Sequence, residues 1–225
     1  MAGPIRFAPR ALAALAIVAL SPLLLIAAAA VRLTSRGPVM FHQERVGLRG
    51  RPFHIHKFRT MCAAAAGPAI TAGRDPRITR VGAVLRRLKF DELPQLFNVL
   101  KGEMNFIGPR PELPRYVDLY PAAQREVILS VPPGMTDLAS LTFIDESRLL
   151  GEAADPERFY VETLMPAKRR LAEAYVRARN GWLDLRILLA TASGILGWRW
   201  IPSPFDDEQV EISSTTRGSK RPHSG

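Results

Sequence analysis

Two adjacent carboxylates, Asp91 and Glu92, sit inside "LRRLKFDELPQLFNVLKGEMNFIGPRPE", Leu85 to Glu112, a stretch rich in cations. An Asp–Glu pair ahead of a proline commonly caps a helix and complements its dipole. This neighbourhood supports further chemistry. Free N–H groups at a helix start and the charges of Arg86, Arg87 and Lys89 would hold Asp91 ionised near neutral pH. An ionised carboxylate can attack phosphorus. A divalent cation bridging Asp91 and phosphate oxygens would remove the anion–anion repulsion, and Arg110, clamped between Pro109 and Pro111, could grip other oxygens with its planar fork. Phosphoryl transfer needs little beyond such positioning and charge stabilisation.

The charge distribution agrees with a phosphate-rich partner. The chain of 225 residues carries a net charge of +10, and the segment from Arg32 to Arg115 holds 16 Lys/Arg against 6 Asp/Glu, which is the whole excess. A basic membrane-tethered protein that binds anionic lipid or nucleic acid without catalysis is the alternative reading, although no nucleic-acid motif is recognisable and no nucleic-acid partner is expected. Cys62 is the only cysteine, which rules out an internal disulfide and a four-cysteine zinc site. His54 and His56 could share one face of a strand as metal ligands, with surface histidines the plainer account.

Elements that would carry these residues are legible. "GPVMFHQERVGLRGRPFHIHKFRTM" reads as a hairpin, Val39–Val46 and Phe53–Arg59 around a Gly/Arg turn, with Phe53, Ile55, Lys57 and Arg59 on one face. Helical spacing covers Ile78 to Leu88, and "DELPQLFNVLKGE" reads as a short helix capped by Asp91 or Glu92 and closed by Gly102. "GPRPELP" must be extended and stiff. A long helical pattern runs from Asp155 to Thr191, interrupted at Pro166 and Gly181. Trp182, Trp198 and Trp200 with Arg186 and Arg199 give the C-terminal helix an interfacial or a core-packed reading.

Ala11 to Val31 contains 21 residues without a charge. A cleaved signal, a spanning helix and a re-entrant helix-break-helix all fit that length. Ser21-Pro22 at the midpoint would bend the helix, and the basic flanks Arg6/Arg10 and Arg32/Arg36 draw both ends to the same side. The bent form satisfies both flanks.

The segments "GPVMFHQERVGLRGRPFHIHKFRTM", "DPRITRVGAVLRRLKFDELPQLFNVLKGEMNFIGPRPE", "VPPGMTDLAS" and "WLDLRIL" resemble the bacterial sugar transferase family, the small monotopic polyprenyl-phosphate phosphoglycosyl transferases. The resemblance implies a helix-rich α+β fold. It would comprise a re-entrant membrane hairpin at 1–36 and a cytoplasmic catalytic domain at 37–212 with interfacial amphipathic helices and a small β-hairpin, while the polar, small-residue stretch 213–225 reads by composition as a disordered tail. It implies a nucleotide-diphosphate sugar donor, usually a UDP-sugar, and a polyprenyl phosphate acceptor, commonly undecaprenyl phosphate. Transfer would proceed through an aspartyl-phosphosugar intermediate at the cytoplasmic face of the bacterial inner membrane and would start a surface glycan. By motif position Asp91 would be nucleophile and Mg2+ ligand, and Glu92 the acid assisting the acceptor step. Lys57, Arg59, Arg86 and Arg110 would bind phosphates, and Ser21 and Pro22 would form the membrane hinge. Two departures stand out. Cys62 to Ala66 lacks the acid often found after "FRTM", and Ile144 stands where related sequences usually have arginine; if that arginine grips the donor, its absence here would weaken donor binding or shift the task to Arg148.

Overall fold

A computed structural model of the chain describes residues 7–62, 70–73 and 75–195. Helix α1 covers Phe7–Thr34. Strands β1 (Met40–Val46) and β2 (Pro52–Phe58) form the expected antiparallel hairpin, with His42 opposite His56 and Phe41 opposite Lys57. Helix α2 (Arg80–Arg87) follows, then a 3-10 turn at Phe90–Gln95 that leads into α3 (Leu96–Lys101). Beyond it lie β3 (Asn105–Ile107), α4 (Pro114–Val117), α5 (Ala122–Ile128), β4 (Gly134–Thr136), α6 (Leu138–Thr142), α7 (Glu146–Glu152) and α8 (Pro156–Phe159). A π turn at Tyr160–Leu164 leads into α9 (Met165–Ala178), and α10 (Gly181–Ile195) closes the described chain. The result is a helix-rich α+β fold. Trp198, Arg199, Trp200 and the 213–225 tail lie outside the described residues.

Helix α1 remains helical through Pro22, so the break expected at Ser21-Pro22 is not a gap in the helix. Proline lacks the N–H that would serve the carbonyl four residues back, that of Val18. Ser21 Oγ donates to the Val18 carbonyl at 2.8 Å instead. One hydroxyl thus restores the missing donor, a substitution that matters most where no water is available. The helix is long and apolar enough to cross a membrane by length and composition. Leu15, Val18, Leu25 and Ile26 in its middle are exposed, whereas its two ends dock. Ala13 packs with Phe53, Ile55, Val99 and Met104, and Ala27 and Val31 pack with Phe58 and Leu85.

The acid pair does not cap a helix, contrary to the sequence expectation. Lys89 holds the N-cap position in a left-handed conformation (φ 59°) without a side-chain cap bond, and Asp91 and Glu92 lie within the 3-10 turn. The reversal at Lys89 turns both carboxylates inward toward cations on other elements, away from the chain's own N–H groups. Gly102 closes α3 at φ 80° as expected. The long C-terminal helical pattern divides: Pro166 enters the first turn of α9, and the chain leaves helix at Arg179 before α10 begins at Gly181.

A second strand pair, invisible to the sequence reading, positions Arg110. Strands β3 and β4 run parallel, with Asn105 opposite Gly134 and Ile107 opposite Thr136. Gly108 and Gly134 let these backbones touch: a Cβ on Gly134 would lie 2.1 Å from the Gly108 nitrogen. Beneath them, Leu138, Leu141, Tyr175, Leu183 and Ile187 form a buried cluster that fixes α6, α9 and α10.

Candidate active site

Glu92 is the centre of a charged cluster drawn from three parts of the chain. Lys57, near the end of β2, donates from Nζ to Glu92 Oε1 at 2.8 Å. Arg110 grips the same carboxylate with both ends of its fork: Nη1 donates to Oε2 at 3.2 Å and Nη2 to Oε1. Burial alone would push the Glu92 carboxyl up, but Arg110 and Lys57 overcome it and hold the group well below the usual carboxylate range. Arg110 is itself held in place: its backbone N–H donates to Asp137 Oδ2 at 3.3 Å and its Nη1 to the Met135 carbonyl at 3.4 Å. Asp137 also caps α6 by accepting from the Ser140 N–H at 2.7 Å.

Asp91 is the opposite case. Its side chain belongs to a residue only 9% exposed, and among the described residues none donates a hydrogen bond to its carboxylate. Burial and the neighbouring Glu92 charge push its pKa above the ordinary aspartate value, while Lys57, Arg86 and Lys89 pull the other way. The sequence expectation of a lowered pKa is therefore corrected: losing water outweighs the cations. Arg86, at the end of α2, interacts electrostatically with Asp91 and anchors its Nε on Thr60 Oγ1 at 2.8 Å.

Arg59 does not join this cluster. It is 5% exposed and donates through Nη2 to the carbonyl and hydroxyl of Ser35, just past α1, at 2.8 and 2.7 Å. Among the described residues, none hydrogen-bonds to its buried Nε and Nη1. Arg148 pairs with Glu152 on the surface of α7, and Ile144 is partly exposed. His56 meets His42 across the hairpin, Nδ1 to Nδ1 at 2.9 Å, and has Lys101 Nζ 3.2 Å from its Nε2. The His54–His56 pairing considered from sequence is thus replaced by a cross-strand contact.

Sequence reasoning missed a buried network behind Arg110. Glu112 accepts from Arg45 Nη1 at 3.0 Å and from the Tyr160 hydroxyl, and Arg45 also donates to the Pro111 carbonyl at 3.2 Å. Lys168 and Arg45 overcome burial to lower the Glu112 pKa. Asp137 was missed too, although "DLAS", with a serine three residues on, carries the signal of an N-cap.

No cluster of three or more His, Cys, Asp or Glu residues able to hold a metal occurs among the described residues. The donor set nevertheless suits Mg2+, which keeps water and substrate phosphates as ligands and needs only one or two protein carboxylates. Asp91, with both oxygens free of hydrogen bonds from described residues, fits that role, whereas Glu92 is already taken up by two cations.

The family model for bacterial sugar transferases matches residues 5–197. The chain belongs to that family. It is 39% identical over 190 residues to a Caulobacter vibrioides protein named UDP-glucose:undecaprenyl-phosphate glucose-1-phosphate transferase, covering 82% of this chain and 66% of that one. It is 40% identical over 191 residues to an Aeromonas hydrophila UDP-N-acetylgalactosamine-undecaprenyl-phosphate N-acetylgalactosaminephosphotransferase, covering 82% and 41%. A Komagataeibacter xylinus undecaprenyl-phosphate glucose phosphotransferase is 40% identical over 185 residues, with 79% and 33% covered. The chain therefore spans between a third and two thirds of the length of these relatives.

Proposed function

We propose that the chain transfers sugar-1-phosphate from a UDP-sugar to undecaprenyl phosphate or a similar polyprenyl phosphate, and thereby starts a surface glycan. The observation that carries this reading is Asp91: a buried carboxylate with no hydrogen bond from a described residue, faced by cations from separate elements. Relatives named for that acceptor and for UDP-linked donors point the same way.

In the first step an Asp91 oxygen attacks the phosphorus attached to the sugar. The bond to the bridging oxygen breaks, UMP leaves with that bonding pair, and an aspartyl-phosphosugar forms. In the second step an oxygen of the polyprenyl phosphate attacks the same phosphorus and the Asp91 carboxylate is released. Arg86 and Arg110 bind and orient phosphate oxygens, and Lys57 adds charge beside them. Glu92 holds Lys57 and Arg110 until the donor arrives, and once displaced it can take the proton of an incoming acceptor. Mg2+ held on Asp91 would supply charge neutralisation at the diphosphate. Arg59, just past β2, ties that strand to Ser35 beyond the end of α1.

A panel of UDP-sugars, scored for magnesium-dependent UMP release without acceptor, tests the reading. One sugar should release up to one equivalent of UMP per protein. No release with any sugar would refute the two-step transfer. The panel is needed because identity is 39% to a glucose relative and 40% to an N-acetylgalactosamine relative, so overall similarity does not choose the sugar.

The same reading places the chain on a bilayer with α1 re-entrant and the catalytic domain on the cytoplasmic face. Support comes from both ends of α1 docking on one domain while its middle stays exposed. The outward row Trp182, Leu185 and Leu189 on α10 offers an interfacial face. In a Cys62→Ser background, cysteines placed at Ala8 and Thr34 should both react with an impermeant thiol reagent from the cytoplasmic side only. Labelling from opposite sides would establish a spanning helix.

A further inference from the structure

Thr60 follows β2 and is 6% exposed. It joins two elements that carry separate parts of the site. Its carbonyl accepts from the Thr79 N–H at 2.9 Å, and the Thr79 hydroxyl in turn caps α2 by accepting from the Gly82 N–H at 2.9 Å. The backbone of α2 lies directly on this joint: a Cβ on Gly82 would fall 2.1 Å from the Thr60 oxygen. The Thr60 side chain reaches the other end of the same helix, where Oγ1 accepts from Arg86 Nε at 2.8 Å. Neither terminal nitrogen of Arg86 hydrogen-bonds to a described residue, and Asp91 is the strongest of the charges that favour its ionised form.

A guanidinium is planar, so fixing Nε leaves the two terminal nitrogens a restricted set of directions. Lys57 sits three residues before Thr60 on β2. The joint therefore also sets the distance between a cation on the strand and a cation on the helix.

We propose that Thr60 is a positioning residue for the transfer: its hydroxyl aims the free end of Arg86 across the Asp91 carboxylate to receive a phosphate of the donor. The inference rests on the reading of the site as a phosphate-transfer centre. Thr60→Val keeps the branched shape and the backbone carbonyl and removes only the acceptor, leaving Arg86 Nε partly buried and unpaired. Thr60→Ser restores the acceptor.

The test is calorimetric binding of UDP, with magnesium, to the full chain and both variants, together with hydrogen exchange at the Arg86 Nε–H by NMR. Thr60→Val should weaken UDP binding about tenfold and raise the donor KM by a similar factor, with kcat within about threefold. The Nε–H should lose its protection. Thr60→Ser should return all of these to near wild type. A purely structural residue would lower the melting temperature and leave UDP affinity and the Nε–H of the folded fraction unchanged. UDP binding by Thr60→Val equal to that of wild type, or unaltered Nε–H exchange, would overturn the inference. If UDP binding responds as expected but no UDP-sugar yields UMP, the placement of Arg86 stands and the transfer reading falls.

Discussion

Asp91→Asn should cut UMP release at least 10³-fold and abolish the covalent phosphosugar adduct, yet melt at a higher temperature than wild type at neutral pH. The kinetic half follows from removing the proposed attacking oxygen and the proposed Mg2+ ligand at once; a factor of 10³ corresponds to about 4 kcal/mol of barrier. The stability half follows from the sign of the Asp91 shift. Burial and Glu92 raise its folded pKa, so its protonated form is favoured in the folded state. Such a group contributes stability at low pH and loses it as pH rises through the folded pKa. At neutral pH the ionised group opposes folding, and a neutral amide of the same size relieves that cost. The difference in melting temperature should shrink as pH falls. Intact mass spectrometry, UMP release and thermal melts test the three parts; a less stable Asp91→Asn would contradict the account of its burial.

Glu92→Ala should be the more damaging change to the fold. It strands Lys57 and Arg110 together, and removing one partner of a buried charge cluster costs about 3–5 kcal/mol. Glu92 is about one-fifth exposed, which favours the lower end of that range. The pH dependence runs opposite to that of Asp91. Because Arg110 and Lys57 depress the folded pKa of Glu92, its contribution is complete above the unfolded glutamate value and is lost as pH falls through the folded value. The stability gap between wild type and Glu92→Ala, measured by denaturant unfolding, should be constant from neutral pH to about pH 5 and should narrow below about 4.3. A gap that widens with acid would assign the ion pairing to another residue.

The parts of this molecule governed by local chemistry were legible in its sequence. Alternation gave β1 and β2 nearly to the residue, and Gly102 marked the end of α3. The failures came from long-range contacts. Nothing near Asn105 or Gly134 announces a parallel pair, because each three-residue strand exists only through the other. Period two put Arg59 on one strand face with Lys57, yet β2 ends at Phe58, and Arg59 turns to Ser35 past the end of α1 while Lys57 turns to Glu92. The direction of the Asp91 shift depended on burial, which a list of neighbouring charges does not report.

The approach of Gly134 to Gly108 has an evolutionary consequence. Hydrogen bonds from Gly134 N–H to the Pro109 carbonyl and from Gly108 N–H to the Thr136 carbonyl set the peptide path into Arg110, and the Asp137 carboxylate then accepts from the Arg110 N–H. A side chain at either glycine would force these backbones apart, so neither position can change without moving the peptide that leads into Arg110.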